Sequence, residues 1–150
     1  MKVVLQRVSE ASVVSNGVLT GAINKGLLVL LGIHLDDTEK DIDWMVSKIT
    51  QMRIFADEED KMNLSVKDIQ GNILVISQFT LLASTKKGNR PSYIKAAPPS
   101  IAIPFYESFL NKIRIAGFEN VQTGVFAADM KVHLINDGPV TIVIDTQQPE

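Results

Sequence analysis

Two short stretches carry the groups best suited to chemistry: Ser77-Gln78-Phe79-Thr80 and Asn136-Asp137-Gly138-Pro139-Val140-Thr141. The first interrupts an otherwise apolar run, ILVISQFTLLA, residues 73–83. A polar side chain in a core strand costs about 1–3 kcal/mol unless it is hydrogen-bonded. The stretch therefore reads either as a strand end with satisfied hydroxyls or as a site. Strand alternation sends Gln78 and Thr80 to one face and Ser77 and Phe79 to the other, so all four meet only where the strand bulges or stops. The second stretch lies between KVHLI and IVI. Asp-Gly between apolar runs is a strong hairpin signal, and proline is tolerated at the first residue of a strand. A plain turn is its simplest reading.

Other chemistries are poorly supported. The chain has no cysteine, which removes a thiol nucleophile, a disulfide framework and any cysteine-bearing zinc site. Its two histidines, His34 and His133, are not accompanied by a Gly-x-Ser-x-Gly elbow, so a hydrolase triad finds no support. The acids at 57–60 lack the glycine and spacing of a calcium loop, and a Gly-rich phosphate loop is absent. No metal or cofactor is expected.

Charge is uneven although the net charge is only −2. Residues 36–68 hold ten acids against five bases, whereas residues 69–106 hold no acid and carry Lys86, Lys87, Arg90 and Lys95. That loop is either solvated or faces phosphates. The 150 residues suit one domain, 1–150, with a real core. The start has no continuous apolar signal-peptide core, and no run approaches the roughly 18–20 apolar residues of a spanning helix. A soluble, cytoplasmic protein without membrane contact is expected.

The elements that would position these groups follow from periodicity. Residues 2–8, 11–15 and 18–23 read as strands around an Asn16-Gly17 hairpin turn. LLVLLGI, residues 27–33, is apolar on both faces and reads as a buried central strand. From Asp36 to Arg53 the apolar residues Ile42, Met45, Val46, Ile49 and Met52 recur at helical spacing, with Asp37 or Thr38 as cap. Residues 73–83 form a second buried strand candidate, and STKKGNRPSY with AAPPS forms a long irregular loop. A second helix follows to Ala116, with Ser100 as a possible cap, Pro104 tolerable only near the first turn, and Gly117 as terminator. Met130–Asn136 and Val140–Asp145 read as a closing pair of strands. The order predicts an α+β domain with mostly antiparallel, roll-like or barrel-like sheets and two main helices.

SQFTL at 77–81 and NDGPVT at 136–141, with QRVSEASV at 6–13, KMNLS at 61–65 and ADMKVHLINDGPVT at 128–141, resemble the D-aminoacyl-tRNA deacylase family. The resemblance is close to full length. It implies that family's fold and a homodimer that hydrolyses the ester between a D-amino acid and the 3′-terminal ribose of tRNA. It also implies that Gly138-Pro139 is cis and enters the partner subunit's site, where its carbonyls hold the substrate ammonium and an L-side chain would clash. Arg7 resembles the residue supporting that motif; otherwise it is a surface arginine. Ser77, Gln78 and Met130 become substrate-binding candidates, and Lys86, Lys87 and Arg90 suit acceptor-end phosphates on charge grounds. The Phe79 N–H, with Thr80 nearby, becomes the candidate oxyanion donor. Water then attacks, beside the ribose 2′-hydroxyl; a covalent Thr80 nucleophile would lack an adjacent base. One departure is Ala127, where the family commonly has glycine, in the stretch leading to Met130. A binding module without turnover and a structural dimerisation domain are the alternatives.

Overall fold

A computed structural model describes residues 1–149. Its elements are β1 (Lys2–Ser15), β2 (Val18–Ile23), β3 (Gly26–Gly32), α1 (Glu39–Gln51), β4 (Phe55–Ala56), β5 (Met62–Leu64), β6 (Asn72–Ser77), a 3₁₀ turn (Phe79–Leu82), α2 (Pro99–Ile115), β7 (Gln122–Thr123) and β8 (Met130–Asp145). The expected α+β architecture with two main helices is present. Strand β1 pairs antiparallel with β2, β3 and β8, while the β3–β6 and β6–β7 pairs are parallel. The sheet therefore runs β2-β1-β3-β6-β7 with β8 along the other side of β1. It curls until β2 lies close to β7: a Cβ added to Gly21 would sit 2.8 Å from the Thr123 carbonyl oxygen. The barrel is nearly closed.

Alternation divides the core. Leu28, Leu74 and Ile76 join Val8, Ala11, Val13 and Ile23 inside the barrel, whereas Leu27, Val29, Leu31, Ile73 and Val75 meet the helices on the outside. This is why LLVLLGI is apolar at every position: β3 is covered on both faces. Helix α1 supplies Ile42, Met45, Val46 and Ile49, and α2 supplies Tyr106, Phe109, Leu110 and Ile113. The two helices are tied at the surface by Lys112 Nζ, which lies 2.7 Å from Glu39 and 2.6 Å from Asp43.

The helix termini bear out some expectations and overturn others. Thr38 alone is the α1 cap: Asp41 accepts from its N–H and its hydroxyl, both at 2.8 Å. Asp37 is instead buried, accepting from the His34 N–H at 2.7 Å and from the Met1 ammonium group. Ser100 lies inside α2, whose cap is Pro98, and Pro104 stands well past the first turn. The helix tolerates it because Ser100, whose carbonyl loses its partner, and Pro104 itself both face solvent. Gly117, at φ +114°, ends the helix as expected, with the Phe118 N–H reaching back to the Ile113 carbonyl at 3.2 Å.

The largest correction concerns the tail. Met130–Asn136 and Val140–Asp145 do not pair with each other; both belong to β8 and pair with β1. Val8 is opposite Asn136 and Gln6 is opposite Thr141, so residues 137–140 face Arg7 alone. The Asp-Gly signal marks a wide bulge, not a hairpin. The run 73–83 likewise stops being a strand at Ser77 and continues as the 3₁₀ turn. The basic segment is a loop pinned at its base, where the Ser84 and Ser92 backbones exchange hydrogen bonds at 2.8 and 3.0 Å.

Strand β3 must meet β6 closely at its first residue. A Cβ at Gly26 would fall 1.9 Å from the Asn72 carbonyl oxygen, against backbone that cannot rotate away. Gly26→Ala is expected to cost about 3 kcal/mol or more, read as a lowered urea midpoint at unchanged m-value.

Candidate functional site

The site begins where β6 ends. The Gln78 N–H donates to the Leu31 carbonyl at 2.7 Å, the last tie to the sheet, and the chain then tightens into the 3₁₀ turn. The first N–H groups of such a turn have no partner within it. Those of Phe79 and Thr80 make no hydrogen bond among the described residues. Gln78 Nε2 donates across the turn to Thr80 Oγ1, so these two side chains pair with each other. No buried side-chain polar atom among the described residues is without a partner.

A cavity of about 550 Å³ opens beside this turn. Ser77, Gln78 and Phe79 form one wall, Ala127 to Met130 another, and Ile33, Ala97 and Ala102 the apolar floor. The structure thus brings Met130 to SQF, as a shared substrate site requires, while Thr80 is not among the lining residues. Missed from sequence was Gly124: a Cβ there would lie 2.4 Å from Met130 Sδ, so the thioether rests on the glycine and is held towards the cavity. Tyr106 and Phe126, with ring centroids 5.8 Å apart, back the floor. Burial pushes the Tyr106 phenol well above its ordinary pKa, so it stays a donor, to the Val75 carbonyl at 3.3 Å.

The second stretch lies elsewhere. Gly138 and Pro139 are exposed, joined by a cis peptide bond, and do not line this cavity. Arg7 holds their bulge: its Nε donates to the Asp137 carbonyl at 3.0 Å and its Nη1 to the Ile54 carbonyl at 2.7 Å. Asn136 completes the brace, its amide oxygen accepting from the Val140 N–H at 3.0 Å and its amide nitrogen donating to Thr141 Oγ1 at 2.9 Å. Gly138 has φ +130°, and an added Cβ would lie 2.8 Å from Arg7 Nη2. Glycine is required there both by backbone conformation and by the arginine. Lys86, Lys87 and Arg90 are exposed on the pinned loop and form no ion pair among the described residues.

Among the described residues no cluster of three or more histidine, cysteine or carboxylate side chains could hold a metal. Main-chain N–H groups without partners beside a largely apolar cavity, on a barrel-like α+β scaffold, are what stabilisation of a developing oxyanion requires. The chain belongs to the D-aminoacyl-tRNA deacylase family. A family model described as D-Tyr-tRNA(Tyr) deacylase matches residues 4–145. A D-aminoacyl-tRNA deacylase of Flavobacterium johnsoniae is 60% identical over 150 residues, covering 100% of both chains. Those of Bacteroides fragilis and Porphyromonas gingivalis are each 59% identical over the same full length. Among solved structures, a c-Myc DNA unwinding element binding protein superposes with a TM-score of 0.92 at 47% identity, covering 97% of this chain and 99% of that one. A probable eukaryotic D-amino acid tRNA deacylase shares the fold at a TM-score of 0.82 and 17% identity, covering 95% of this chain and 97% of that one.

The departure at Ala127 has a physical measure. Its φ is +63°, a left-handed conformation that costs an L-residue about 1–2 kcal/mol. Glycine would remove that cost while adding about 0.4–1 kcal/mol of unfolded-chain entropy. Ala127→Gly is therefore expected to stabilise the protein by about 0.5 kcal/mol, measured as an increase in the urea midpoint.

Proposed function

We propose that the cavity beside SQFT is the active site of this deacylase and that a second copy of the chain completes it with Gly138-Pro139. As a family member the chain is an enzyme that deacylates D-aminoacyl-tRNA; residues 1–150 act as one deacylase domain, in the cytoplasm where tRNA is charged. The observation that carries the reading is the pair of partnerless N–H groups, Phe79 and Thr80, at the edge of a cavity that Gly138-Pro139 does not reach within its own chain. A motif so firmly braced by Arg7 and Asn136, yet exposed, suits insertion into a partner. The 16-residue edge strand that bears it exposes Ile135 and Val143, and a long exposed strand edge invites pairing with another copy.

In this scheme water adds to the ester carbonyl and the Phe79 N–H receives the developing oxyanion. Collapse expels the 3′-oxygen, which takes the proton, leaving free amino acid and tRNA; the 2′-hydroxyl lies beside the ester to assist. Ser77, Gln78 and Met130 bound the aminoacyl group. Pro139 has no N–H, so the inserted motif offers carbonyl oxygens to the substrate ammonium, and an L-side chain is driven into its backbone. Glycine has nothing to exclude, so glycyl-tRNA is also hydrolysed. Lys86, Lys87 and Arg90 meet acceptor-end phosphates.

A second reading, nucleic-acid binding without turnover, is favoured by the name of the 47% identical solved relative, a DNA unwinding element binding protein. Matched D- and L-aminoacyl-tRNA separate the two: selective release of the D-amino acid is expected, whereas protection without release would favour the binder.

The oxyanion donor is tested by two substitutions at one residue. Phe79→Ala removes the ring but keeps the N–H, while Phe79→Pro also removes the N–H at the first position of the turn, where proline is sterically tolerated. Single-turnover rates are expected about 10²-fold lower for proline than for alanine. Thr80→Ala is expected to keep a near-normal rate; a rate near zero would restore the covalent scheme. The cross-subunit arrangement predicts complementation: Arg7→Ala and Phe79→Pro homodimers are each nearly inactive, but after unfolding and co-refolding the mixed dimers regain activity. No recovery would place Gly138-Pro139 outside the partner's site.

A further inference from the structure

Beyond the cavity, the wall formed by Phe79 continues as an aromatic ledge. Phe79 is 56% exposed and Tyr93 38% exposed, and their rings meet edge to face with centroids 5.1 Å apart. The Tyr93 phenol has no hydrogen-bond partner among the described residues, and its neighbour Ile94 is 79% exposed. Large apolar side chains normally surface singly; a contiguous exposed group beside a cavity marks a binding surface. This ledge also stands at the foot of the loop pinned by Ser84 and Ser92, which carries Lys86, Lys87 and Arg90. The acid-free stretch 69–106 contains all of these residues. Exposed rings beside unpaired cations are what unpaired nucleotides require, because bases stack on aromatic faces while the backbone follows positive charge.

The order of these parts along the surface sets the register. Resting on the proposed site at Phe79, the esterified nucleoside must stand at the cavity mouth, against the exposed Phe79 ring. Tyr93 does not line the cavity; it is one ring further out, on the side of the basic loop. We propose that Tyr93 is a stacking platform for an unpaired base upstream of the esterified nucleotide, with Phe79 packed against its ring and the Lys86–Arg90 loop holding the neighbouring phosphates. The platform reads no sequence, since every base offers a π-face. It makes a single-stranded 3′ end a structural requirement, and it separates recognition of the RNA strand from recognition of the amino acid.

The test compares two substrates of wild type, Tyr93→Ala and Tyr93→Phe: a full-length D-aminoacyl-tRNA and the corresponding D-aminoacyl-adenosine, which has no upstream base. Hydrolysis of D-aminoacyl-adenosine by the wild type tests the active-site reading separately from the platform. Tyr93→Ala is expected to raise KM for the tRNA about 10-fold more than KM for the adenosine ester, with kcat for the tRNA changed less than about two-fold. Tyr93→Phe, which keeps the π-face, is expected to restore the wild-type KM ratio. A 2-aminopurine placed one nucleotide before the 3′ end of uncharged tRNA should be quenched on binding wild type and Tyr93→Phe but not Tyr93→Ala. Equal losses on both substrates, no loss on either, or failure of phenylalanine to rescue would each overturn the platform.

Discussion

The structure depends on a mismatch in the β1–β8 ladder, where Arg7 opposes the four residues 137–140; a second, smaller register shift follows between Val8 and Glu10. Before the bulge, Met130, Val132 and Leu134 face the barrel interior; after it, Val140, Ile142 and Ile144 face the helices. The even-numbered positions change sides because side-chain direction has a period of two and the bulge shifts the register. A single strand thereby serves both halves of the core. Arg7 makes that possible by supplying donors to carbonyls on two elements, Asp137 and Ile54, at 3.0 and 2.7 Å. Charge-assisted hydrogen bonds of this kind are roughly twice as strong as neutral ones, which suits a bulge whose own ladder bonds are interrupted.

Strand β3 plays the complementary part. Its two apolar faces join the barrel interior to the helix layer, and its parallel pairing carries β6 to the point where Leu31 gives its carbonyl to Gln78. Beyond that bond no further ladder partner exists among the described residues, so the chain turns and presents the Phe79 and Thr80 N–H groups. Gly32 leaves room for this: a Cβ there would lie 2.4 Å from Leu82 Cδ2 and 3.0 Å from the Gln78 carbonyl oxygen. The same packing that finishes the sheet also creates the exposed donors.

What the sequence makes legible follows the physics of periodicity. The buried β3, the α1 stripe and the Asn16-Gly17 hairpin are all readable, because each rests on local pattern; Asn16 and Gly17 adopt φ +48° and +82°, as the turn requires. The tail defeats local reading because Asp-Gly-Pro looks alike in a hairpin and in a bulge, and only the partner strand β1 distinguishes them. Pro104 departs from expectation because its tolerance depends on the exposure of Ser100, a tertiary fact. SQFT and NDGPVT both stand out in the sequence, yet nothing local places Met130 beside the first or Gly124 beneath Met130. Those contacts join β6 to the chain more than forty residues later.

The proposed site is built from main-chain groups, which accounts for how few candidate catalytic side chains the chain displays. Backbone N–H and carbonyl groups are present at every residue, so their chemistry is encoded by conformation: a 3₁₀ turn where a strand runs out, and a glycine at φ +130° under an arginine. Neither leaves a pattern of titratable residues. Charge contributes at a different range. With a Debye length of about 8 Å at physiological ionic strength, the net charge of −2 matters less to a nearby phosphate than the cations closest to it. Lys86, Lys87 and Arg90 project from a loop whose base is only a few residues from Phe79 and Tyr93. The proposed scheme draws phosphate attraction and ester chemistry from one continuous segment, and the two apolar flanks of its basic loop, Leu82 and Ala97, anchor it in the fold.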